Sequence, residues 1–145
     1  MNDNFFIDTN VLVYCRDPAS LDKHVRAKKW LDFLWRSRRG VISIQVLTEY
    51  YEVVRRRKMA TDLAAVEQDI RSLYSWKPLS LGTTEIDRAF AIRSEFACSW
   101  WDSLMLSSAL TLGSRYFLSE DLQANQVIDK MRIVNPFDVS PENIL

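Results

Sequence analysis

Phe5-Phe6-Ile7 is an apolar run without polar alternation, and it stops at Asp8. A strand with one face in water alternates; a run like this suits a strand buried on both faces, in the middle of a parallel sheet. Thr9 and Asn10 then stand where a helix would begin, and Val11-Leu12-Val13-Tyr14 continues it. Strand, carboxylate, helix start is an α/β signature, and in open α/β sheets ligands bind outside the carboxyl ends of the strands. On this stretch alone Asp8 has two readings: a cap for the following helix, or a metal-binding or catalytic acid.

The rest of the chain repeats the alternation. Strands are expected at 41–44, 77–81, 116–118 and 133–134. Pro78 favours an edge for the second of these. Helices are expected from Leu21 to about Arg38, from Gln45 to the Arg55–Lys58 run, and from Thr61 or Asp62 to about Trp76. Further helices are expected from Thr83 or Thr84 to about Phe96, from Trp100 to Leu112, and over 127–131. Val25, Trp30, Leu31 and Leu34 form the expected inner face of the first long helix, which Gly40 closes. Leu63, Val66, Ile70, Leu73 and Tyr74 serve the third. Ile86, Ala89, Phe90, Ile92 and Phe96 serve the fourth. Strands alternating with helices predict an α/β fold with a central parallel sheet of about five strands, covered on both faces. With 145 residues, one domain over 1–137 is expected, followed by a loosely attached tail over 138–145.

Several function classes are excluded. Formal net charge is zero, so no bulk field draws the chain to polyanions or membranes. Met1-Asn2-Asp3-Asn4 does not read as a signal peptide, and no segment has the length of a membrane span. A cytoplasmic location is expected. Cys15 and Cys98 lack metal-ligand spacing and read as buried free thiols. His24, the single histidine, lies in a charged stretch and is expected to be exposed. Histidine-dependent nucleophilic sites and histidine-rich zinc sites are therefore disfavoured. Chemistry must come from carboxylates.

Four acids converge on topological grounds. Asp8 ends the first strand, Asp121 follows the fourth, and Glu49 lies near the start of the helix after the second. Asp102 opens a helix that runs antiparallel to the strand it feeds, so it reaches the same sheet edge. Clustered like charges are unfavourable unless a cation neutralises them. Hard oxygen donors without sulfur or imidazole select Mg²⁺ or Mn²⁺. Such a site suits attack of water on a phosphodiester, with Glu49 orienting the water or taking its proton. Glu120 is expected to be exposed and to point elsewhere, and Asp3, Asp17 and Asp87 do not join the convergence.

At these motifs the chain resembles the PIN-domain nucleases, most closely the VapC-type toxins of prokaryotic toxin–antitoxin pairs. The motifs are Ile7-Asp8-Thr9-Asn10, Ser43 to Tyr50 around Glu49, Trp101-Asp102-Ser103, and Leu118-Ser119-Glu120-Asp121. The resemblance implies a three-layer α/β/α sandwich and a Mg²⁺-dependent endoribonuclease. Asp8 and Asp102 would be the principal metal ligands, with Asp121 holding metal directly or through water and Glu49 completing the acidic set. Asn10 and Ser119 would be polar support. Ser103 stands where the family often has alanine, and Ser119 where it has threonine; neither removes an acid. The partners implied are RNA, a cognate antitoxin and a second copy of the chain.

Arg55, Arg56, Arg57 and Lys58, like Arg36, Arg38 and Arg39, could hold RNA phosphates or simply satisfy helix C-termini. Trp100 and Trp101 could stack a base, but packing into the core is the expected placement. Two other readings stay open: a PIN-fold RNA-binding domain without catalysis, and a haloacid-dehalogenase-like phosphatase. The latter needs a second aspartate where this chain has Asn10.

Overall fold

The computed structural model describes residues 3–60 and 62–144. Met1 and Asn2, the alternative helix cap Thr61, and Leu145 at the end of the tail lie outside the described residues.

β1 (Phe5–Ile7) is an interior strand of the sheet, with all three side chains fully buried. It pairs in parallel with β2 (Gly40–Val41) on one side and β3 (Tyr116–Leu118) on the other. β3 pairs in parallel with β5 (Met131–Val134), and β4 (Val127–Ile128) closes the sheet antiparallel to β5. The order is β2-β1-β3-β5-β4. Aromatic pairs lock the register between β1 and β3: Phe5 stacks on Tyr116 at 4.9 Å and Phe6 on Phe117 at 5.1 Å.

The sheet is the middle layer of a three-layer α/β/α sandwich. Its helices are α1 (Thr9–Arg16), α2 (Leu21–Ser37), α3 (Ile44–Arg56), α4 (Leu63–Ser72), α5 (Thr83–Phe96) and α6 (Trp100–Thr111). α2 lays Trp30 and Phe33 against Phe5. α4 starts at Asp62, whose side chain accepts from the Ala64 amide. Gly113, in a left-handed conformation, follows the end of α6.

Several local expectations are corrected. The segment 77–81 is not a strand of the sheet: Ser43 and Leu79 form only an isolated parallel bridge, and proline at 78 removes the neighbouring amide donor. Residues 127–131 are β4, a two-residue turn and the first residue of β5, not a helix. Arg38, in a left-handed conformation, ends α2. Gly40 instead opens β2, where a Cβ would lie 2.4 Å from the Trp76 ring. Val25, Tyr74, Ile86 and Phe90 face solvent rather than the core. Cys15 and Cys98 are free and partly buried, and burial pushes the Cys15 thiol up to about 12. His24 is half-buried, its Nδ1 donating to the Tyr14 carbonyl at 2.8 Å.

The C-terminal stretch is tied down rather than loose. The Trp30 indole N–H reaches the carbonyls of Pro136 and Val139 at 2.9 Å each. Pro141 is buried, and Lys29 pairs with Glu142.

Candidate active site

Asp8 and Ser119 are the residues that follow β1 and β3, two paired strands, so the sheet itself sets them side by side. The ladder runs one step past each strand, with the Asp8 amide on the Leu118 carbonyl and the Ser119 amide on that of Val134. Ser119 is fully buried and donates its hydroxyl to Asp8 Oδ2 at 2.8 Å. The other Asp8 oxygen accepts the Thr9 amide at 2.6 Å. Asp8 therefore caps α1 through this bond.

Asn10 extends the network. Its Nδ2 donates to Ser119 Oγ at 3.2 Å and to Asp121 Oδ2 at 3.0 Å. The Asp121 amide donates to the same Ser119 hydroxyl at 3.1 Å. Glu49 is half-buried in α3, one oxygen accepting from Thr9 Oγ1 and the other from Gln45 Nε2, each at 3.2 Å. Asp102 sits in the first turn of α6, capped by Ser99.

Asp8, Glu49, Asp102 and Asp121 line one cleft of about 530 Å³, together with Asn10. Asp17 and Glu120, set aside in the sequence, also line it. Glu120 is half-buried rather than exposed, and Lys23 holds it at 2.6 Å. Arg57, at the end of α3, is the one cationic residue in this wall, and among the described residues no ion pair engages it. Arg55, by contrast, is held by Glu52 through two hydrogen bonds. Trp100 is half-buried and stacks on Phe90, whereas Trp101 is 62 % exposed, against the expectation that both pack into the core.

Burial in the cleft disfavours negative charge on Asp8 and Asp102. Burial pushes the Asp8 carboxyl up to about 7; the charges of Asp102 and Asp121 add to the rise, and hydrogen bonds from Ser119 and Thr9 oppose it. Asp102 is raised for the same leading reason, with Asp121 adding to it and Ser99 opposing.

The donor set fits a hard divalent cation. It is made of carboxylate oxygens, with no thiolate or imidazole in the wall. The buried Asn10 Oδ1 has no hydrogen-bond partner, and a cation-bound water is the kind of strong donor that a wall of acceptors lacks. Among the described residues no group of three or more histidine, cysteine, aspartate or glutamate side chains is placed so that it could hold a metal ion; the acids share a cleft without meeting at one point.

The PIN domain family profile matches residues 5–130, which include all four acids. The chain belongs to the PIN domain family, a nuclease-type fold whose members generally use divalent metal ions. No curated protein matches the chain. Among the described residues no helix is long and apolar enough to cross a membrane.

Thr9 and Gln45 are partners of Glu49 that the sequence reading did not single out. Thr9 could have been found as the polar neighbour of Asp8, and Gln45 from its spacing of four from Glu49 on one helix.

Proposed function

We propose that this protein is a Mg²⁺-dependent endoribonuclease, with Mn²⁺ able to substitute, that acts in the cytoplasm as the toxin of a toxin–antitoxin pair. The observation that carries the reading is the convergence of Asp8, Glu49, Asp102 and Asp121 on one cleft. Those acids come from four separate parts of the chain, and burial works against the charge of Asp8 and Asp102, with the charge of Asp121 adding to the effect on both.

Asp8 and Asp102, with Asp121 assisting, would hold the metal, which neutralises the phosphodiester and lowers the pKa of the attacking water. Glu49 takes a proton from that water, its carboxylate held in orientation by Thr9 and Gln45. Water oxygen bonds to phosphorus, the bond to the leaving oxygen breaks, and that oxygen is protonated from solvent. Asn10 and Ser119 keep Asp8 and Asp121 in place. Arg57 receives a flanking phosphate, and the exposed ring of Trp101 offers a face to an unpaired base. Arg56 and Lys58 add to the basic rim, while Arg55 is already engaged by Glu52. A second copy of the chain and a cognate antitoxin complete the proposal.

The test is cleavage of total cellular RNA by wild type and Asp8→Asn, each with Mg²⁺, Mn²⁺ or EDTA. Discrete fragments from the metal-loaded wild type alone support the reading. Metal-independent RNA binding without cleavage would replace it with a non-catalytic RNA-binding domain. For the toxin role, induced wild type should arrest growth and Asp8→Asn should not.

A further inference from the structure

We propose that Gln45 is a positioning residue that sets Glu49 and the Asp102-bearing turn of α6 at a fixed separation across the cleft; this rests on the nuclease reading above. Gln45 lies in the first turn of α3, four residues before Glu49, so both side chains share one helix face. It is 9 % exposed. Its single NH2 group donates to Glu49 Oε1 at 3.2 Å and to the Trp101 carbonyl at 3.1 Å. Both partners are pure acceptors, so the orientation of the amide is fixed by chemistry. The two N–H bonds of one planar group diverge at a constant angle, which makes the side chain a short rigid strut.

What it joins explains why a strut is needed. α6 packs chiefly against α5. Gln45 ties the first turn of α6 directly to α3. Thr9 holds the other oxygen of Glu49 from α1, so the carboxylate is clamped between two helices and, through Gln45, referenced to a third. Trp101 is the residue next to Asp102, and fixing its carbonyl fixes the turn that carries the carboxylate.

The carboxamide is not what packing alone would select. Gln45 Oε1 is buried and has no hydrogen-bond partner, an unfavourable state for an amide oxygen. A methionine of similar length would fill the same volume without the orphaned acceptor. The donor end therefore supplies something other than stability.

The experiment compares full-length wild type, Gln45→Met and Gln45→Asn on a fluorogenic single-stranded RNA with Mg²⁺, together with melting curves without metal. Gln45→Met should melt at or above wild type, lower kcat about ten-fold and leave KM within about two-fold. Gln45→Asn keeps the chemistry but loses reach, and should behave likewise in kcat. In a Glu49→Gln background the loss from Gln45→Met should shrink, because one of the two tethered groups has already changed. Wild-type kcat in both Gln45 variants overturns the inference while leaving the nuclease reading intact. So does a loss of activity that follows a lowered melting temperature and is equal in both backgrounds, which would make Gln45 a packing residue. A wild type that cleaves no RNA overturns the nuclease reading and this inference with it.

Discussion

The Ser119 hydroxyl donates to Asp8 Oδ2 at 2.8 Å and accepts the Asp121 amide at 3.1 Å, so one fully buried oxygen orients two of the four acids. Ser119→Ala removes both contacts and leaves a buried carboxylate short of a donor. A loss of about 1.5–3 kcal/mol of stability is expected, the range for a hydrogen bond to a charged group. Turnover should fall at least ten-fold, because Asp8 and Asp121 lose their common anchor. Urea denaturation and kcat on the same preparation check the two effects; unchanged turnover would remove Ser119 from the site.

The acidic cluster should make the metal-free protein less stable as pH rises. The Asp8 carboxyl, held at about 7 in the fold, ionises near 3.9 when unfolded. The folded state binds the extra proton, so its contribution is full below the unfolded value and is lost as pH climbs through about 7. Asp102, also raised, acts in the same direction. The metal-free melting temperature should fall between pH 5 and pH 8, by the equivalent of about 2–4 kcal/mol. Mg²⁺ should restore it at pH 8 and do little at pH 5, where Asp8 is protonated. Asp8→Asn keeps the shape, flattens the pH dependence and removes most of the metal response. A wild type whose melting temperature ignores metal at pH 8 would contradict this account.

Much of this site was legible because sheet chemistry writes it in the sequence. Phe5-Phe6-Ile7 has no polar break, so β1 had to be an interior strand, and a residue ending an interior parallel strand lies at the ligand edge. Asp121 and Glu49 follow by the same topology. What stayed hidden depended on tertiary neighbours. Val127-Ile128 is too short for its period to separate strand from helix. Phe90 and Trp101 occupy helix positions whose apolar character fits a core or an uncovered surface equally well. Glu120 was set aside as the neighbour of Asp121, yet Lys23 on α2 draws it into the cleft wall. The role of Gln45 depends on a carbonyl 56 residues away, which no local pattern announces.

The basic run at the end of α3 should divide by residue rather than act as a block. Arg57 lines the cleft, whereas Arg55 is exposed and engaged by Glu52. Arg57→Ala should raise KM for RNA and reduce the slope of log affinity against log salt by about one. Arg55→Ala should leave both the melting temperature and that slope essentially unchanged. Salt titration of binding to the inactive Asp8→Asn protein separates the two; equal effects would mean diffuse electrostatics rather than a cleft contact.

Trp101 offers the sharpest test of how substrate lies in the cleft. Its ring is 62 % exposed, so removing it should hardly disturb folding: Trp101→Ala is expected within about 0.5 kcal/mol of wild-type stability. If the ring stacks on a base beside the scissile phosphate, its loss forfeits on the order of 1–3 kcal/mol of binding. KM for single-stranded RNA should then rise about ten-fold or more, with kcat changed much less. Trp101→Phe retains a π-face and should recover part of the loss, whereas Trp101→Leu is apolar without one and should not. Recovery by leucine would assign the exposed ring to a protein interface, and a wild-type KM in Trp101→Ala would take the residue out of substrate binding.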